Sequence, residues 1–68
     1  MKLTVNGKER LFAGAHPRTL SELIELYGLD SATVVAEVDG SIIERTSFDK
    51  VLLADSQIIE LIRFVGGG

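Results

Sequence analysis

The start of the chain alternates between apolar and polar residues, which is the period of a strand with one buried face. Residues 1–5 follow this pattern, with apolar side chains at the odd positions. Asn6-Gly7 comes next and predicts a two-residue hairpin turn, because both central positions of that turn need a positive φ. Residues 8–13 are then the returning strand. The register of such a hairpin turns Phe12 toward the core and Leu11 toward the opposite face.

A helix is predicted to begin after Thr19. Thr19-Leu20-Ser21-Glu22 forms a capping box, in which Thr19 accepts a hydrogen bond from the third helical amide and Glu22 reaches back. The apolar residues of this segment have the i, i+3, i+4, i+7 spacing of a helix with one buried stripe. They are Leu20, Leu23, Ile24 and Tyr27. Gly28 suits the left-handed position that ends a helix, and Leu29 can fold back over the last turn.

The chain after the helix predicts a second hairpin. Residues 33–38 are rich in β-branched side chains and predict a strand. Asp39-Gly40 is a second two-residue turn signal, and it leads into a short strand at residues 41–44. Residues 45–51 predict an irregular segment or a single helical turn, with Phe48 as its apolar anchor.

The last predicted strand covers residues 58–65 and completes the order strand, strand, helix, strand, strand, strand. This order predicts an α+β protein with a β-grasp (ubiquitin-like) fold, in which one main helix crosses one face of a five-stranded mixed sheet. The first and last strands should lie side by side in the sheet centre. Residues 1–65 form this domain, and residues 66–68 form a flexible C-terminal glycine tail. The expected core consists of Leu3, Val5, Phe12, Leu20, Leu23, Ile24, Ile59 and Leu61.

The composition narrows the possible function classes. Of the 68 residues, 46% are hydrophobic, which is enough for one packed domain. The net charge is −3 and the basic residues are scattered, which disfavours nucleic-acid binding. There is no cysteine and only one histidine, His16, so disulfides are excluded and no metal site is expected. No apolar run reaches the roughly 18 residues of a membrane span, so we expect no membrane association and a cytoplasmic location.

The chain carries no recognisable active-site motif, and we do not expect it to be an enzyme. It has no Ser/His/Asp set, no Gly-x-Gly-x-x-Gly pattern and no phosphate loop. The candidate chemistry lies instead in Gly66, Gly67 and Gly68. Three glycines add no side-chain bulk and span about 10 Å when extended, so they can enter a narrow channel of another enzyme. A glycine run taken alone is more often an inert end, but here it follows directly on the last strand of a β-grasp pattern.

The carboxylate of Gly68 is a poor electrophile until it is activated. A partner enzyme can adenylate it with ATP, after which a sulfur nucleophile displaces AMP and leaves a thiocarboxylate. The chain itself then needs no bound cofactor, because the partner enzyme uses the ATP and the sulfur donor. On this hypothesis the protein is a sulfur carrier on which other enzymes act.

Segments along the whole chain resemble the ThiS family, the sulfur carriers of thiamine biosynthesis, within the wider group that holds the molybdopterin carrier MoaD and ubiquitin. They are residues 1–7, 19–23, 38–43, Arg45 and 59–68. The chain departs from the family pattern at Glu44, where proline is usual, and at Ser56-Gln57, where Gly-Asp is usual. It also lacks the Pro-Pro stretch that precedes the terminal glycines in the molybdopterin branch.

The resemblance implies three partners. They are a ThiF-type adenylyltransferase, a cysteine-desulfurase sulfur relay, and a ThiG-type thiazole synthase that receives the sulfur. Three alternatives stay open. The chain could be a molybdopterin-type carrier, a ubiquitin-like modifier joined through Gly68 to a target lysine, or a non-covalent binding module with an inert tail.

The final strand also predicts a docking surface. If its odd-numbered apolar residues face the helix, then Glu60, Ile62 and Phe64 point outward. Two large apolar side chains beside the tail suit a docking surface, and the hairpin register allows Leu11 to join them. We therefore expect Ile62 and Phe64 to contact the activating enzyme and later the sulfur acceptor. Arg45 either contacts a partner as well or anchors the loop after the second hairpin.

Overall fold

The computed structural model describes residues 1–64, so the predicted tail of Gly66, Gly67 and Gly68 lies outside the described residues. The regular elements follow the predicted order. They are β1 (Lys2–Val5), β2 (Lys8–Leu11), α1 (Leu20–Leu26), β3 (Val34–Val38), β4 (Ser41–Ile43) and β5 (Gln57–Arg63), with single 3₁₀ turns at Ser31–Thr33 and Arg45–Ser47.

The five strands form one sheet in the order β2-β1-β5-β3-β4. β1 and β5 run parallel, whereas the other three neighbouring pairs are antiparallel. The first and last strands therefore lie side by side, with β5 in the centre, and α1 covers one face. This mixed sheet is the β-grasp arrangement that the sequence predicts.

Both hairpin turns have the predicted geometry. Asn6 and Gly7 have φ values of 51° and 80°, and Asp39 and Gly40 have values of 50° and 86°. Positive φ at both central positions defines the type I′ turn, whose twist matches that of the flanking strands. The first turn sets Val5 opposite Lys8, which confirms the register expected of β1 and β2.

Helix α1 begins and ends through the predicted signals. The Thr19 hydroxyl accepts a hydrogen bond from the backbone N–H of Glu22 at 3.1 Å. The Glu22 carboxylate reaches back as predicted, but it accepts from the backbone N–H of Arg18 at 3.1 Å, one residue before the N-cap amide that a capping box uses. At the other end Gly28 has a φ of 69°, and the N–H of Leu29 returns to the Ile24 carbonyl at 3.1 Å.

The core lies between α1 and the inner face of the sheet. All the predicted core residues are buried except Phe12. Phe12 is only partly buried because it follows the end of the edge strand β2 and packs against the cluster from its rim. The prediction also omitted buried residues from β3 and from the segment after β4. They are Val34, Ala36, Val38 and Phe48.

Candidate functional site

The central strand β5 leads from the core toward the glycine tail. β1 pairs with its first half and β3 pairs with it from Ile59 to Arg63. The N–H of Phe64 donates to the Thr33 carbonyl at 3.0 Å, which extends the attachment one residue beyond the strand. The backbone is therefore held on the β3 side up to the last residue that the structure describes.

Side chains on β5 alternate between the two faces as predicted. Ile59 and Leu61 are buried beneath α1, at 0% and 5% exposure. Glu60 is exposed, and Ile62 and Phe64 expose 48% and 45% of their surface. The outward direction of the three candidate docking residues is confirmed, and their contact with a partner stays a prediction.

Further apolar side chains surround Ile62 on the uncovered face of the sheet. Val35 lies directly opposite Ile62 on β3. We name the large exposed apolar residues on this face of β3, β4 and β5, together with Phe64, the outer apolar face. It consists of Val35, Ile42, Ile58, Ile62 and Phe64. Glu60 lies in its middle and is paired across the strands with Glu37, so two carboxylates stand side by side there.

Leu11 shares this face but does not join the cluster next to Phe64. Leu11 is 77% exposed and pairs with Lys2 at the start of β1. Because β1 and β5 are parallel, with Leu3 opposite Gln57, this position is level with the beginning of β5. At ~3.3 Å per residue, Leu11 lies about 26 Å along the strand direction from Phe64. The expectation that Leu11 extends the docking surface is therefore wrong.

Arg45 lies at the same end of the sheet as the end of β5. Ile43, at the end of β4, is opposite Ala36 on β3, which is itself opposite Leu61. Arg45 follows two residues later, is exposed, and its backbone carbonyl accepts from the N–H of Phe48 at 3.1 Å. Within residues 1–64 its guanidinium makes no hydrogen bond or ion pair, which disfavours the anchoring role.

Asn6 has a tertiary role that the sequence reasoning missed. Its backbone N–H donates to the Ile59 carbonyl at 2.9 Å. Its side-chain oxygen accepts from the N–H of Leu61 at 2.8 Å, and its side-chain nitrogen donates to the Leu61 carbonyl at 3.3 Å. Asn6 thus continues the β1 side of the ladder beyond the end of β1. The turn propensity of Asn-Gly already explained this residue, so nothing in the sequence pointed to the second role.

Two aspartates attach the beginning of β5 in a similar way. The Asp39 carboxylate accepts from the N–H of Ile58 at 2.9 Å. The Asp55 carboxylate accepts from the N–H of Lys2 at 2.7 Å and from the Ser56 hydroxyl at 3.2 Å. The backbone hydrogen bond from Lys2, followed by that from Ser56, holds the pKa of Asp55 below its usual value of 3.8.

The rest of the described chain offers little other chemistry. An open cleft between α1 and the loop after β2 is lined by Arg10, Phe12, His16 and Glu22, among others. Arg10 stacks over the Phe12 and Tyr27 rings and donates to the Tyr27 hydroxyl at 2.9 Å. No group of three histidine, aspartate or glutamate side chains within residues 1–64 is placed to hold a metal ion. No helix in this part of the chain is long and apolar enough to cross a membrane.

Comparison with known sequences finds relatives over the whole chain. A sequence model of the ThiS family matches residues 3–68. The sulfur carrier protein ThiS of Bacillus subtilis is 33% identical over 66 residues, which cover 97% of this chain and 98% of that protein. A thiazole synthase of Paramagnetospirillum magneticum is 35% identical over 68 residues, but the chain spans only 20% of its length.

Comparison with solved structures also finds thiamine biosynthesis proteins that match this chain. The crystal structure of the thiamine biosynthesis protein ThiS from Geobacter metallireducens superimposes with a TM-score of 0.83 at 35% identity, over all of both chains. A solution structure of a thiamine biosynthesis protein from the same organism gives a TM-score of 0.81 at 35% identity, over 100% of this chain and 88% of that one.

Proposed function

This chain belongs to the ThiS family, the sulfur carriers of thiamine biosynthesis, and we propose that its reactive group is the C-terminal carboxylate of Gly68. The family match carries this proposal, because it extends through residue 68 and so includes all three terminal glycines. The attachment of β5 supports it, since the backbone is held by hydrogen bonds up to Phe64, two residues before the first of these glycines. The chain acts as a co-substrate, and the enzymes are its partners.

The proposed chemistry has three steps. A ThiF-type adenylyltransferase binds ATP, the Gly68 carboxylate attacks the α-phosphorus, and pyrophosphate leaves. The outer sulfur of a persulfide on a cysteine-desulfurase relay then attacks the acyl carbon, and the bond to AMP breaks to leave an acyl disulfide. A thiol of a partner protein cleaves the S–S bond of this intermediate, which leaves the thiocarboxylate on the carrier and a disulfide on the relay. The carrier contributes the acyl group and a recognition surface, and it needs no bound cofactor of its own. We propose that the reaction takes place in the cytoplasm, where ATP is available to the activating enzyme.

We assign the docking of these partners to the end of the sheet from which the tail departs. Ile62 and Phe64 are half exposed there, and burial of such side chains against a partner contributes favourably to binding. Arg45 stands at the same end, and Glu60 lies two residues before Ile62 on the outer face, so the two residues offer one charge of each sign. These charges would orient the partner more than they would strengthen its binding.

A ThiG-type thiazole synthase is the proposed acceptor of the sulfur. The similarity of this chain to a segment of the Paramagnetospirillum thiazole synthase supports this partner, because a carrier-like segment is there part of the synthase polypeptide. The same docking residues would serve both encounters, with the adenylyltransferase first and the synthase second.

Intact-mass measurement tests the proposal directly. The carrier is incubated with a ThiF-type adenylyltransferase, ATP and a sulfur donor, and with each component left out in turn. Replacement of one oxygen by one sulfur on the last residue, dependent on ATP, is the expected result. A ladder of heavier conjugates in a cell lysate would instead support a ubiquitin-like modifier, and an unchanged mass in all conditions would support a binding module with an inert tail.

A further inference from the structure

β1 ends before β5 does, and this leaves the second half of β5 without a strand on that side. The last paired residues are Val5 and Ile59, whereas β5 continues to Arg63. The N–H and C=O of Leu61 point to this open side, since both bond there to the carboxamide of Asn6. A carboxamide carries one acceptor and a donor group, like a peptide unit, so it can replace one further residue of β1.

We infer that Asn6 is a positioning residue for the carrier reaction, an inference that rests on the proposed function. In the described part of the chain, Asn6 makes the last β1-side attachment before the docking residues Ile62 and Phe64. Without it, the segment that presents these side chains would be held from the β3 side alone. The partner enzyme would then have to order the strand end during binding, which weakens the complex.

The second hairpin offers a matched control. Asp39 occupies the same position of the same turn type, with a φ of 50° against 51° for Asn6. Its carboxylate also accepts a hydrogen bond from a β5 amide, that of Ile58, but at the opposite end of the strand. Replacing either residue with glycine keeps the positive φ accessible and removes its side-chain attachment to β5, which is two hydrogen bonds for Asn6 and one for Asp39. The two variants therefore differ mainly in which end of β5 they release.

The two residues also differ in a way that a smaller substitution can test. Asn6 both accepts from and donates to Leu61, so aspartate at this position would set a carboxylate oxygen against the Leu61 carbonyl. Asp39 needs only an acceptor from its side chain, because its own backbone N–H serves the Ile58 carbonyl at 2.8 Å. Asn6→Asp should therefore act like Asn6→Gly, whereas Asp39→Asn should act like the wild type.

The experiment combines amide exchange of the isolated carrier with the kinetics of its adenylation. In Asn6→Gly, the Leu61 amide should exchange at least about tenfold faster while the Ile58 amide is unchanged, and Asp39→Gly should show the reverse. With a ThiF-type adenylyltransferase, Asn6→Gly and Asn6→Asp should raise the KM for the carrier about fivefold or more with kcat within about twofold. Asp39→Gly and Asp39→Asn should leave both constants near wild type.

Three results would overturn the inference in distinguishable ways. An unchanged Leu61 amide in Asn6→Gly would show that the side chain does not hold the strand. Equal KM values for Asn6→Gly and Asp39→Gly would show that only general stability matters. A wild-type carrier that is never adenylated, despite the expected exchange pattern, would refute the proposed function. The attachment of Asn6 to Leu61 would then have a structural role but no role in the carrier reaction.

Discussion

The two faces of the sheet are built from the same strands but differ in what covers them. On the inner face, Ile59 and Leu61 of β5 are buried beneath α1. On the outer face, Ile58 and Ile62 of the same strand are 56% and 48% exposed and nothing in residues 1–64 covers them. Because side chains alternate along a strand, one segment carries both buried core residues and the proposed docking residues. A substitution on one face should affect stability, and its neighbour on the other face should affect binding.

The largest effect should come from a change that touches neither face. Deleting Gly67 and Gly68 removes the proposed reactive carboxylate and shortens the tail, so formation of the thiocarboxylate should be abolished. Binding to the activating enzyme should be largely retained, since the docking residues stay in place. Mass spectrometry measures the first quantity and calorimetric titration the second. A shortened carrier that still gains sulfur would exclude Gly68 as its attachment point.

On the inner face, Leu23→Ala should cost a large share of the stability. Leu23 is fully buried on α1, and such truncations lower the free energy of unfolding by about 2–5 kcal/mol. A domain of this size has little stability to lose. Urea denaturation of wild type and variant measures the difference. A loss well below 1 kcal/mol would mean that the inner face is less tightly packed than the burial indicates.

On the outer face, Phe64→Ser should weaken docking and leave the fold intact. Loss of a large interface side chain costs roughly 1–3 kcal/mol, which corresponds to a rise in KM of about 5- to 150-fold. Leu11→Ser is the matched control, because Leu11 is an exposed apolar residue of the same face at its far end. Adenylation kinetics and a thermal melt are measured for both. If Phe64→Ser unfolds the domain, or if both variants raise KM equally, the assigned docking surface is wrong.

The smallest effect on stability should come from Asp55→Asn at the margin of the sheet. The Asp55 carboxylate, just before β5, accepts a hydrogen bond from the backbone N–H of Lys2. Hydrogen bonds lower the pKa of Asp55 in the folded state, so its contribution to stability is present above the unfolded-state value of 3.8. That contribution should be lost as the pH falls below 3.8 through the lower folded-state pKa. Thermal melts of wild type and Asp55→Asn across this range would show it. Identical pH profiles for the two proteins would contradict the assignment.

Which β5 side chains face the core and which face outward could largely be predicted from the sequence, because this depends on local periodicity. The alternation on β5 and the two Asx-Gly turns are local signals, and the structure follows both. The sequence predicts a core position for Phe12, which is only partly buried, because no local pattern shows where an edge strand leaves the sheet. The distance between Leu11 and Phe64 depends on the parallel register of β1 and β5, which is set by the assembled core rather than by either strand.

The attachment by Asn6 illustrates a different limit. When one structural role already explains why a residue stands at its position, the sequence gives no reason to look for a second role. Asn-Gly satisfies the turn, so the hydrogen bonds of Asn6 to Leu61 become visible only when residues far apart in the chain are brought together. The like-charged pair of Glu37 and Glu60 was hidden for a related reason, since only the register sets them opposite each other.

The edge strand β2 has a consequence for how this protein behaves at high concentration. If a second copy added its own β2 to that edge as an antiparallel strand about a two-fold axis, residues of the same face would pair. Registers centred on Lys8, Glu9 or Arg10 would each place a charge against its own copy. Like charges on an open edge oppose this kind of growth, and the opposite edge, β4, spans only Ser41–Ile43. Both features of the edges therefore oppose polymerisation through the sheet, even though much apolar surface is exposed.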